Sequence, residues 1–188
     1  MRKALYILGT LDDVDVEWLS KHGAVCSTSP GSQLIQQGKP IEHLYILLEG
    51  ELSVRIGSGK GVEIARLQSG EIVGEMSFID SRPPSASVFA TQESHLLALR
   101  KDVLSAKLQK DNAFSSRFYR AIAIFLADRL HVTTGRLGYG GPEQDVDVDQ
   151  IEDSAMEDVS LANIRFDGLL RQLRGDYRAR GAGANTTP

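Results

Sequence analysis

The sequence predicts an α+β protein in which a jelly roll or sandwich of short strands is followed by helices. Three observations carry that prediction. Turn signals recur closely between residues 23 and 100, at Pro30-Gly31, Gly38-Lys39-Pro40, Glu49-Gly50, Gly57 to Gly61, Ser69-Gly70 and Pro83-Pro84. The runs between them are short and apolar, with strict alternation of Leu52, Val54 and Ile56 against Ser53 and Arg55, the period-two signature of a strand with one buried face. Beyond Lys101 the period lengthens, and Phe114, Phe118, Ala121, Ile122, Phe125 and Leu130 recur at helical spacing.

Residues 1–22 read as a short strand or lead-in and then a small helix. Asp12 or Asp13 caps it, and Val16 and Leu19 share one face with Trp18 nearby. In residues 23–100 the apolar runs at 44–48, 52–56, 63–67 and 95–99 are bounded by turns on both sides. Strands so spaced suit a sandwich or jelly roll better than βαβ units.

Residues 101–140 hold no Gly or Pro from Lys101 to Thr134, and Asp111 or Asn112 marks the cap between a short helix and a longer one. Gly135, Gly138, Gly140, Gly141 and Pro142 end the second helix. An acidic linker follows at 141–153. Residues 154–178 form an amphipathic helix with Val159, Ala162, Phe166, Leu169 and Leu173 as its apolar stripe. Arg171, Arg174 and Arg178 complement its dipole at the end, and a disordered tail is expected at 179–188.

Composition excludes several functions. At 188 residues and 41% hydrophobic content the chain holds one ordinary domain plus extensions, with enough apolar mass for a core. A net charge of −4 argues against a nucleic-acid surface spread over the whole protein. Cys26 stands alone, so no internal disulfide is expected, and no Cys/His set has zinc spacing. His22, His43, His95 and His131 are scattered, and neither a nucleophile elbow nor a Walker loop is present, so no catalytic residue is assigned.

Asp145, Asp147 and Asp149 have the spacing of a calcium loop. Gln150 stands where the turn needs Gly, however, and Met156 where a bidentate Glu belongs, so no metal site is expected. The apolar start breaks at Gly9 ahead of Asp12, Asp13 and Asp15, and no run has the length of a membrane span. A cytoplasmic protein without membrane contact is expected.

Residues 73–88 run Val73-Gly74-Glu75-Met76-Ser77-Phe78-Ile79-Asp80-Ser81-Arg82-Pro83-Pro84-Ser85-Ala86-Ser87-Val88. This segment resembles the phosphate-binding cassette of cyclic-nucleotide-binding domains, in which a Gly-Glu pair opens an apolar turn and a Pro-Arg-Ala-Ala stretch follows. Gly74, Glu75, Pro83, Ala86 and Val88 match that pattern. The resemblance extends back over the region, through Pro30-Gly31, Leu34-Ile35, Gln37-Gly38, Tyr45-Ile46-Leu47, Glu49-Gly50, Val54, Leu67 and Gly70-Glu71. It implies a cyclic-nucleotide-binding-like β-barrel over 23–100 and the family's B and C helices over 101–140.

By the same resemblance Glu75 accepts a hydrogen bond from a ribose 2′-hydroxyl, and Ser87 falls where a hydroxyl can contact the base. The candidate ligand-binding residues are Val73, Gly74, Glu75, Met76, Ser77, Arg82, Ser85, Ala86 and Ser87, with cyclic AMP, cyclic GMP or a related nucleotide as the implied ligand. One departure matters. The family's phosphate-binding arginine falls on Pro84, which has neither a side-chain donor nor a backbone N–H. Losing one partner of a desolvated charge pair costs about 2–5 kcal/mol, so weak or altered nucleotide binding is expected. Arg82 lies two residues earlier, on the same side of an extended segment, and either replaces the missing cation or is an exposed loop charge.

These features predict a non-catalytic regulatory or sensory protein. A homodimer through the C helix is expected, using Phe114, Phe118, Ile122, Phe125 and Leu130, with a possible protein partner at the C-terminal helix. The alternative is a ligand-independent interaction or dimerisation module. A transcription regulator would need a helix-turn-helix, for which the remaining chain is too short, so direct DNA binding is not expected.

Overall fold

The computed structural model describes residues 9–57, 61–136, 164–171 and 173. Helix α1 spans Asp13–His22, and β1 to β5 follow at Ala24–Thr28, Gln33–Ile35, His43–Glu49, Glu51–Ile56 and Val62–Gln68. Strand β6 (Ile72–Val73) leads directly into the short helix α2 (Glu75–Ile79), and β7 (Ser87–Ala90) and β8 (Ser94–Arg100) complete the strands. Helices α3 (Lys101–Lys110) and α4 (Asn112–Arg136) come next, and residues 164–171 are again helical. This is the α+β jelly roll that turn spacing and period change predict.

The strands pair as two antiparallel four-stranded sheets, ordered β1-β8-β3-β6 and β2-β7-β4-β5. They are two open layers, and the pairing does not close them into the single barrel expected for residues 23–100. The first sheet is buried on both faces. Leu47, Leu96 and Val73 turn inward to meet Leu52, Leu67 and Val88 of the second sheet. Leu44, Ile46, Leu97 and Leu99 turn outward beneath the helices. That double burial explains why β3 and β8 read as continuous apolar runs while β4, in the second sheet, alternates.

The alternation of β4 is less clean in the fold than in the sequence. Ser53, expected on the wet face, is 0% exposed. Its hydroxyl donates to Glu63 at 2.8 Å and accepts from Arg55 Nε at 2.8 Å, so two long polar side chains roof it over.

Ion pairs, one of them on a buried carboxylate, fix the helices. Asp12 is the N-cap of α1, and its backbone N–H donates to the Asp15 carboxylate at 2.9 Å. Asp15 is buried and accepts two bonds from Arg117 of α4, Nε at 2.6 Å and Nη2 at 3.0 Å. Asp111 caps α4 by accepting the Phe114 N–H at 2.9 Å, and it also accepts from Lys107 Nζ at 2.7 Å.

Two expectations about surfaces change here. Phe114, Phe118, Ile122 and Phe125 are buried in this chain's own core with Leu19, Leu44 and Leu104, so they are not an outward seam. Of the expected dimer residues, Leu130 alone is exposed, at 64%. In the C-terminal helix Phe166, Leu169 and Leu173 pack into that same core, so this part of the stripe foreseen for a partner is covered by the chain itself. Arg165 secures it, donating to Asp13 at 2.6 Å and to the Gly9 carbonyl at 3.0 Å. Val159, Ala162, the acidic linker, the calcium-like triplet and the tail lie outside the described residues.

Because Leu169 is buried among helix and sheet side chains, Leu169→Ala is expected to destabilise the whole domain by about 2–5 kcal/mol. Urea denaturation followed by far-ultraviolet circular dichroism checks this. A change well below that range would mean that the segment folds apart from the body.

Candidate functional site

The site is built where β6 turns into α2. Gly74 makes that turn in the left-handed region, at φ +91°, and a Cβ there would come within 2.7 Å of Ile41 Cδ1. Glycine alone meets both demands without strain. The turn drives Glu75, the first residue of α2, into the interior, where it is 2% exposed.

A buried carboxylate needs a partner, and Arg129 from the last turns of α4 supplies it. Its Nη1 donates to Glu75 Oε1 at 2.5 Å and its Nη2 to the Ile72 carbonyl at 3.2 Å. The guanidinium also lies 4.5 Å from the centroid of the Phe125 ring. Backbone N–H groups of Glu75 and Gly74 add to the support. Burial pushes the Glu75 carboxyl above its ordinary value, against the lowering effect of Arg129 and those N–H groups.

Beside Glu75 opens a cavity of about 690 Å³, a size suited to a small organic ligand. Its walls come from β4, β5, α2, the loop before β7 and the end of α4. Val73, Gly74, Glu75, Met76, Ser77, Ser85 and Ala86 line it, and Pro84 sits among them. Met76 is exposed at the rim.

Arg82 and Ser87 are placed elsewhere. Arg82 is 81% exposed and pairs with Asp80, Nε to Oδ2 at 2.7 Å, with its backbone N–H on Oδ1 at 2.9 Å. That local pair holds the guanidinium outside the cavity, so of the two readings Arg82 takes that of an exposed loop charge. The Ser87 hydroxyl is buried and bonded by the Gln37 N–H at 3.0 Å and Gln33 Nε2 at 3.3 Å, which ties β7 to the segment after β2.

Sequence reading missed Arg129, Leu126 and Asp128, which close the cavity from α4. Arg129 lies 54 residues from Glu75, so no local spacing announces the pair. The one available hint was its position one helical turn after Phe125, on the edge of the apolar stripe. Behind the site Lys101 Nζ donates to the Ser77 carbonyl at 3.0 Å, joining α3 to α2, and burial pulls the Lys101 ammonium below its ordinary value.

Comparison with known proteins agrees with this architecture. Residues 25–111 match the family described as "Cyclic nucleotide-binding domain". The cAMP-dependent protein kinase type II regulatory subunit of Drosophila melanogaster is 39% identical over 62 residues, 32% of this chain and 16% of that protein. Glutaminase 2 of Bradyrhizobium diazoefficiens is 30% identical over 124 residues, 66% of this chain and 19% of that protein. The chain therefore spans less than a fifth of either of these curated relatives. A solved cyclic nucleotide-binding domain from Methylobacillus flagellatus has a TM-score of 0.65 at 26% identity, covering 76% of this chain and 85% of that one.

The Glu75 carboxyl gives the site a pH signature. Its pKa is raised from 4.5 in the folded chain, so the folded state holds this proton more tightly than the unfolded state. Its contribution to stability is fully present below the unfolded pKa and is lost as pH rises through the folded one. The stability of the natural protein minus that of Glu75→Gln should fall as pH rises past about 4.5, by no more than about 1.4 kcal/mol per pH unit. Arg129→Ala should extend the fall to higher pH. Denaturant titrations across this range check it, and a flat or rising difference contradicts the assignment.

Proposed function

We propose, from the match of residues 25–111 to the cyclic nucleotide-binding domain family and the likeness to a solved domain of that kind, that the chain is a non-catalytic regulatory domain that senses a small ligand beside Glu75. In this reading cyclic-nucleotide binding is weak or altered. The observation that carries it is the pairing of a retained, buried Glu75 with Pro84 on the facing loop, where the family's arginine would stand. A guanidinium offers a cyclic phosphate a planar, permanently charged fork, and Pro84 offers no donor at all.

Regulation in this reading runs through α4. A ligand hydroxyl that reaches Glu75 shares that carboxylate with Arg129, and Arg129 is what fastens the end of α4 over the cavity. Occupancy is thereby coupled to the position of that helix. The pairing of Glu75 within the chain also favours a second reading, a ligand-independent interaction module, since the carboxylate is satisfied without any ligand.

Calorimetric titration with cyclic AMP and cyclic GMP tests the role of Pro84. The natural protein is expected to bind either one weakly, and Pro84→Arg to tighten binding by about thirty-fold or more. Tight binding by the natural protein would contradict altered recognition. A folded variant that gains nothing would contradict the assignment of this loop to phosphate, and silence from both proteins would favour the interaction module.

A further inference from the structure

Resting on the reading of the cavity as a ligand pocket, we propose that its ligand is uncharged: a nucleoside, with hydroxyls directed at Glu75, in place of a cyclic monophosphate. Among the described residues two guanidiniums line the cavity, Arg66 and Arg129. Both guanidiniums are engaged. Arg129 is held by Glu75 and the Ile72 carbonyl. Arg66, 58% exposed at the outer edge, is paired with Glu63 at 2.7 Å and Glu51 at 3.1 Å.

The loop facing Glu75 adds Pro84, Ser85 and Ala86, none of them cationic. Arg82 is turned away onto Asp80. Among the described residues of the lining, a phosphate monoanion entering here would give up its water with no unengaged cation to replace it. An uncharged molecule meets no such penalty.

The remaining walls favour a flat apolar body that carries hydroxyls. Ile35, Val54, Leu67 and Val88 supply an apolar floor, and Leu126 and Leu130 cover it from α4. A carboxylate has about four acceptor positions. Arg129 takes one of those of Glu75, which leaves capacity for a donated hydroxyl.

The test is calorimetric titration of the full chain with adenosine, guanosine, 2′-deoxyadenosine, cyclic AMP and cyclic GMP at one ionic strength. Adenosine or guanosine is expected to bind at least about ten-fold tighter than its cyclic monophosphate, and the 2′-deoxy compound is expected to lose most of adenosine's affinity. Pro84→Arg, with its fold checked by circular dichroism, should reverse the order of nucleoside and cyclic monophosphate. Tighter binding of a cyclic monophosphate by the natural chain overturns this inference and leaves the ligand-sensing reading standing. Failure of every compound to bind the natural chain overturns both.

Discussion

A carboxylate withdrawn from water must find a positive partner or keep its proton, and at Glu75 that partner is the guanidinium of Arg129. The rest of the site follows from this pair. It holds the last turns of α4 against the cavity, brings Phe125 under the guanidinium and anchors the Ile72 carbonyl at the start of β6. A second buried carboxylate, Asp15, grips the same helix through Arg117. Helix α4 is thus fastened to α1 near one end and to α2 near the other, by the same kind of bidentate or shared guanidinium contact. The helical segment at 164–171 is tied in turn to Asp13, just ahead of Asp15.

This arrangement bears on the proposed loss of a loop cation. In a pocket that opens onto an unpartnered carboxylate, ligand hydroxyls would be needed to satisfy it. Here the chain satisfies Glu75 internally, and the described side chains leave no buried polar atom without a partner. Pro84, on the loop that lines the cavity beside Glu75, leaves no described buried polar atom unsatisfied. Its carbonyl is used as well, accepting the Gly38 N–H at 2.9 Å and tying the cassette loop to the turn after β2.

The sheet architecture was legible because its signals are local. Turn glycines punctuate the strands, and the change from period two to helical spacing falls at α3. The cassette turn was legible for the same reason, since Gly74 and Glu75 are neighbours. What local pattern could not give is direction. The apolar stripe of α4 is real, but nothing in its spacing says whether it meets a second copy or the chain's own first sheet, and it meets the sheet. Ser53 and Arg82 show the same limit on a smaller scale, the one roofed by Glu63 and Arg55 and the other captured by Asp80 two residues away. Arg129 was the largest omission, because a pair formed across 54 residues exists only after folding.

The central claim is that Arg129 is the counter-charge of a buried, ionisable Glu75. Carbon-13 NMR of the Glu75 side-chain carboxyl, followed through a pH titration of the natural protein and of Arg129→Ala, tests it most directly. The account predicts a titration midpoint above the ordinary 4.5 in the natural protein and a further upward displacement when the guanidinium is removed. A midpoint at or below that value, unmoved by the substitution, would contradict it.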